Sequence, residues 1–207
     1  MTGLFLDTLI ILLVVVDPIG LAPIFGAITH GGTPAYRRRM AIRGTFIAAI
    51  ILFAFALGGA TLLRVLGIGM PAFQIAGGLL LFLVALDMVF VRQSGIRSTT
   101  EREQREAELK ADVSVFPLAF PLIAGPGALT TVLLMAGKHA QQTAGTIVVL
   151  LVVPVVLLCA LVSLLQAERI MRVLGETGAN VITRLLGVVL AALAVQYALD
   201  GLRAAFA

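Results

Sequence analysis

Val14-Val15-Val16-Asp17-Pro18-Ile19-Gly20 sets an acid, a proline and a glycine inside an apolar run. Proline removes an amide donor and crowds the carbonyl one turn back, so a helix through this stretch is interrupted. Hydrocarbon offers the freed backbone groups no partner, and such a break persists in a membrane only under protein or beside a watery cavity. Leu122-Ile123-Ala124-Gly125-Pro126-Gly127 repeats the device later in the chain. Pro18 and Pro126 are 108 positions apart, and the same offset lays Arg64-Val65-Leu66-Gly67 on Arg172-Val173-Leu174-Gly175. A one-residue slip then aligns Gly78 with Gly187 and Asp87 with Gln196. Interruptions at corresponding places in two halves are a sequence-level pointer to a transporter binding site.

The composition agrees with a membrane setting. Of 207 residues, 60% are hydrophobic and 13% charged, with a mean hydropathy of +1.08; this is a polytopic membrane protein, not a soluble domain. The net charge of +4 does not imply nucleic acid, because the basic residues cluster between apolar spans and read as topology signals. One cysteine, Cys159, excludes an intramolecular disulfide or a cysteine-pair metal site. The first residues lack the basic region of a signal peptide, so the first span is expected to be retained.

A span needs roughly 20 apolar residues. Six are expected: Leu4 to Ile28, Ala41 to Leu63, Pro71 to Val91, Val113 to Ala136, Ala144 to Leu165 and Val181 to Leu202. Arg37, Arg38, Arg39, Arg43, Arg92, Arg97, Arg102, Arg105, Lys110, Arg169, Arg172 and Arg184 fall on one side. Only Arg64, Lys138 and Arg203 fall on the other. The positive-inside rule puts both termini outside the cytoplasm. Three spans per half is odd, so the second copy must lie inverted relative to the first. The expected fold is therefore all-α, with six transmembrane helices as two inverted three-helix repeats and broken helices one and four. Repeat one covers about 1–92, a charged cytoplasmic linker about 93–112, and repeat two about 113–207.

Asp17 is the one acid far from a span end, about 20 Å along the helix from Leu4. It is either the N-cap of a half-helix beginning at Pro18 or a direct contact to a solute or ion, and the two roles are compatible. In the fourth span, Gly125 and Gly127 allow close approach of backbone and ligand. The amides after Pro126 open a second half-helix whose positive dipole end suits a carboxylate. Thr130 and Thr131 offer hydroxyls one turn on, unless they bond back to their own helix. Gly77, Gly78 and Gly187 are expected at close helix contacts. Gln196 and Asn180 are solute ligands or interhelical glue. Asp87 is expected in the interfacial region, and His30 and His139 in loops, with no ligand role. No His-Glu-x-x-His, Gly-x-Ser-x-Gly or Walker loop occurs, so neither an enzyme nor a nucleotide-driven pump is expected.

Asp17-Pro18-Ile19-Gly20-Leu21-Ala22-Pro23-Ile24-Phe25 and Pro117-Leu118-Ala119-Phe120-Pro121-Leu122-Ile123-Ala124-Gly125-Pro126-Gly127-Ala128 resemble the MarC family of bacterial and archaeal membrane proteins. Ala76-Gly77-Gly78 and the stretch from Leu186-Gly187 to Gln196 look like its third and sixth helices, and the similarity extends over essentially the whole chain. The resemblance implies six helices in two inverted repeats and, for some members, transport of small neutral amino acids such as glycine, alanine or threonine. By motif match the implied site is Asp17, Pro18 and Gly20 in the first break, with Gly125, Pro126, Gly127 and Thr130 in the second.

The leading expectation is a secondary transporter of a small zwitterion in the cytoplasmic membrane. Its partners would be that small-molecule solute, membrane lipid, and H+ or Na+ as coupling cation, with no cofactor and no nucleic acid. A zwitterion site should offer free amides and free carbonyls around a small polar cavity. An exporter of toxic or hydrophobic compounds should show a wide aromatic-lined one, and a non-transporting scaffold no central cavity.

Overall fold

The computed structural model describes residues 2–90, 112–138 and 143–206. The expected linker lies outside them except for Asp112, as does His139. The described residues form α1 (Thr2–Val16), α2 (Pro18–Ile28), α3 (Pro34–Val65), α4 (Met70–Phe90), the irregular α5 (Ser114–Ile123), α6 (Pro126–Lys138), α7 (Thr143–Leu165) and α8 (Ala167–Phe206). Five helical runs are long and apolar enough to cross a membrane: Gly3–Ile28, Pro34–Val65, Met70–Phe90, Thr146–Leu165 and Thr177–Phe206. Ser114–Ile123 and Pro126–Gly137, bent by 57°, supply a sixth if taken as one broken span.

Local chemistry explains where these elements start and stop. Thr33 caps α3 by accepting from the Tyr36 amide, and Pro34 occupies the first helical position, where its missing N–H costs nothing. At the far end Gly67 takes a left-handed φ of 69°. The Ile68 amide reaches the Leu63 carbonyl and the Gly67 amide that of Arg64, a paired closure that glycine permits. Gly175, 108 positions on, has φ 64° and interrupts α8. Likewise α2 and α6 each begin on one of the paired prolines. The offset seen in the sequence thus recurs in the backbone at two places.

α4 and α8, the third and sixth spans, run antiparallel in close contact. A Cβ on Gly78 would lie 2.7 Å from the Ala194 carbonyl, one on Gly187 2.7 Å from Met88 Cβ, and one on Gly201 2.9 Å from the Pro71 carbonyl. These glycines let two backbones approach where hydrocarbon provides no hydrophobic drive and packing must hold helices together. Asp87, near the end of α4, is buried against its neighbours.

α5 is where the chain departs from regular helix. Phe116 and Phe120 have extended backbone, each before a proline, as that neighbour favours. The surrounding turns close through wider bonds, Leu118 amide to Val113 carbonyl and Ala124 amide to Ala119 carbonyl. Its start is held by Asp112, which accepts from the Ser114 amide at 2.9 Å and the Ser114 hydroxyl at 2.5 Å and pairs with Arg43 at 3.1 Å. The bonds from Ser114, aided by Arg43, hold the Asp112 carboxyl below its ordinary range.

Candidate functional site: two facing helix breaks

Asp17 occupies the first break alone. It is fully buried and left-handed, with φ 47°, the one positive-φ residue other than glycine among the described residues. Aspartate tolerates this region because its short polar side chain bonds locally. Its Oδ1 accepts from the Gly20 amide at 3.0 Å, and its Oδ2 from the Thr183 hydroxyl of α8 at 3.0 Å. The carboxylate folds so closely over the new helix that a Cβ on Gly20 would lie 2.1 Å from Oδ2. Gly20 is thus required by the cap. The Ser163 hydroxyl of α7 donates to the Pro18 carbonyl, so both members of the Asp-Pro pair are tied to the second half of the chain.

The second break has no such cap. Gly125 precedes Pro126 and has no side chain to turn onto the amides of Gly127 and Ala128, which lack a preceding turn to bond. A Cβ on Gly125 would lie 2.3 Å from the Pro121 carbonyl, so the bend itself demands glycine. A Cβ on Gly127 would lie 3.1 Å from Val15 Cγ1 and 3.2 Å from Leu81 Cδ2. Val15 is two residues before Asp17, so the two breaks adjoin. At the second break little space is left: the void lined by Val15, Val84, Pro121 and Gly125–Ala128 holds about 10 Å³, about one water. The small polar cavity expected at the breaks is therefore not seen; apolar side chains, Val15 and Leu81, cover the α6 terminus instead.

An open cavity of about 550 Å³ lies beside α2, toward the arginine-rich end of the bundle. Ala22, Phe25 and Leu164 line its apolar part, and Arg37, Arg38 and Arg169 bring charge to it. Leu164 follows the serine bonded to Pro18, and Ala22 is one turn from that proline, so this cavity approaches the first break. Arg37 pairs with Glu168 across it, joining the start of α3 to the start of α8.

Of the sequence candidates, Asp17, Pro18 and Gly20 lie together at the first break and Gly125, Pro126 and Gly127 at the second, the two joined through Val15 against Gly127. Thr130 is buried one turn into α6, but turns its methyl to α4: a Cβ on Gly77 would lie 2.1 Å from Thr130 Cγ2. Gln196 is the exception. It is exposed on α8 and its amide donates to Asp200 at 2.7 Å, while Ala194 and Ala198 take the face toward α4. It lies thirteen residues beyond Thr183, about 20 Å along the helix. The sixth-span residue at the break is Thr183, which sequence reasoning missed, together with Ser163.

These features define an integral membrane protein built around two adjoining broken helices. The chain belongs to the MarC family: the model described as "MarC family integral membrane protein" matches residues 2–206. It is 37% identical over 198 residues to a UPF0056 membrane protein of Archaeoglobus fulgidus, covering 92% of this chain and 88% of that one. It is 34% identical to the UPF0056 membrane protein YvbG of Bacillus subtilis, covering 100% of this chain and 97% of YvbG. With the UPF0056 inner membrane protein YhgN of Escherichia coli K12 the identity is 32%, over 94% of this chain and 93% of the relative. No solved structure matches.

Proposed function

We propose that this protein is a secondary transporter that carries a small neutral amino acid, or a similar small zwitterion, across the cytoplasmic membrane. Both termini then lie outside the cytoplasm, and the 550 Å³ cavity at the arginine-rich end opens inward. The observation that carries the reading is the unequal chemistry of the two adjoining breaks. One presents a fixed buried carboxylate, Asp17; the other presents uncapped amides at the positive end of α6. A zwitterion has the complementary pair of charges, its ammonium for the Asp17 side and its carboxylate for the α6 side. With the space at the breaks nearly shut and the inner cavity open, the conformation is one of the two that alternating access needs, and rocking of one inverted three-span repeat against the other supplies the second. A proton or sodium gradient would drive uphill movement. Among the described residues Phe25 is the one aromatic that lines the inner cavity, so it lacks the aromatic wall expected of an exporter of bulky hydrophobic compounds.

The test is counterflow of radiolabelled glycine, alanine and threonine in proteoliposomes, with and without proton and sodium gradients. Saturable exchange of at least one of them is expected. Flux no greater than in protein-free vesicles for all three would sink the reading.

A further inference from the structure

Among the described residues, three polar groups on the side away from the arginine-rich end have no hydrogen-bond partner. Thr8 Oγ1 on α1, Gln74 Nε2 on α4 and Thr131 Oγ1 on α6 are buried without a hydrogen bond, and their residues are 0%, 5% and 0% exposed. Buried helix threonines have an easy remedy, a bond to the carbonyl one turn back, and neither hydroxyl takes it. Unpartnered polar groups among packed helices are costly enough that each calls for an explanation.

Their register brings them to one place. Val15 and Leu81 both face Gly127 at the second break. Thr8 is seven residues before Val15 and Gln74 seven before Leu81, two turns back on the same helix faces. α6 runs opposite to α4, since Leu81 faces Gly127, Gly77 faces Thr130 and Met70 faces Gly137, and in the expected order of spans α1 runs the same way as α4. Thr131 is one turn past Gly127 in the same direction, so all three groups stand beyond the break along the seam of α1, α4 and α6.

We propose that Thr8, Gln74 and Thr131 form the polar wall of the outer half of the solute route, shut in this conformation and hydrated when the repeats rock the other way. Hydroxyls that donate and accept, with an amide that donates, serve water and either end of a small zwitterion, and bring no charge that would trap it. The proposal rests on the transport reading for its solute, but not for its water.

Cysteine accessibility tests it. In a Cys159→Ser background, Thr8→Cys, Gln74→Cys and Thr131→Cys are exposed in spheroplasts to a membrane-impermeant cationic methanethiosulfonate. The controls are Ala56→Cys, buried in α3, and Ile10→Cys on the exposed face of α1. The three should react more than tenfold faster than both controls, and saturating alanine should change their rates. Rates no faster than the controls, in protein that still exchanges alanine, overturn the route alone. Fast labelling beside a wild-type protein that moves none of the amino acids keeps the hydrated route and overturns the amino-acid reading. As a second measurement, Thr131→Val keeps the side-chain shape. It should slow exchange more than tenfold without lowering the melting temperature; unchanged exchange would remove Thr131 from the wall.

Discussion

α2 and α6 start on prolines 108 positions apart, yet one start is closed by a carboxylate and the other by apolar neighbours. At α2 the donor at Gly20 is already bonded to Asp17, and the carboxylate is held again from α8 by Thr183. At α6 the residue before the proline is Gly125, and Val15 and Leu81 cover the terminus. On the proposed transport reading, a solute carboxylate would reach the α6 amides by displacing side-chain ends, whereas at α2 it would have to displace a covalently attached rival. The difference lies in the backbone as well as the side chain: Asp17 is left-handed and turns its carboxylate onto the new helix, whereas Gly125 has no positive φ and no side chain to place over the start of α6.

The largest effect is expected where the bend leaves no room. Gly125→Ala puts a Cβ 2.3 Å from the Pro121 carbonyl, and a backbone atom cannot swing away. The cost should be about 3 kcal/mol or more, seen as a large drop in melting temperature in detergent. Gly3→Ala, with nothing within 4 Å of the new carbon, should leave it unchanged. Equal melting temperatures for the two variants would mean that the second break is not held by this contact.

Next comes the first break. Asp17→Ala removes a cap, leaves the Thr183 hydroxyl without its acceptor and puts alanine at φ 47°, for a loss of about 2 kcal/mol. Asp17→Asn keeps a side-chain oxygen for the Gly20 amide and tolerates the left-handed region, so stability should largely return. Transport should not return if the negative charge meets the solute ammonium. Amino-acid exchange at the wild-type rate in Asp17→Asn would reduce Asp17 to a cap and erase the charge asymmetry between the breaks. Thr183→Val tests the tie to α8 and should cost about 1–2 kcal/mol, since a buried carboxylate loses a donor. Thr183→Ser should restore it, and an unaltered melting temperature in the valine variant would show the tie to be idle.

Pro18 and Pro126 made the breaks legible in the sequence, because no rotamer or neighbour can return a proline's missing amide. The partners across the breaks were not legible, and Thr183 shows why. It lies beside Arg184 at the start of the expected sixth span, a place where a polar residue reads as a span end and not as a contact to another helix, yet α8 runs as helix through both residues. Gln196 drew attention as a polar residue inside the apolar span, but Asp200 one turn on satisfies it locally. Polarity within a span marks a residue that needs a partner; only the packing shows whether that partner is a neighbour on the same helix. The widened turns of α5 escaped for a related reason. Two Phe-Pro pairs announce an irregular segment, but nothing in them distinguishes a simple kink from a wide coil closed by bonds such as Ala124 to Ala119.

The smallest effect, and the sharpest on the comparison, is expected at Gly127. A Cβ there would stand 3.1 Å from Val15 Cγ1 and 3.2 Å from Leu81 Cδ2. Both are methyl ends of side chains, able to give by a few tenths of an ångström, unlike the carbonyl facing Gly125. Gly127→Ala should therefore change stability by less than about 1 kcal/mol, part of the strain being offset by alanine's better helix propensity. A larger side chain is different, because its added atoms must occupy the place assigned to the solute carboxylate. Gly127→Leu should abolish binding of radiolabelled glycine, alanine and threonine to purified protein that still elutes as one folded species, while Gly3→Leu binds as wild type. A Gly127→Leu protein that is folded and binds normally would place the solute away from the α6 terminus. The uncapped start would then be only a structural counterpart of the capped one.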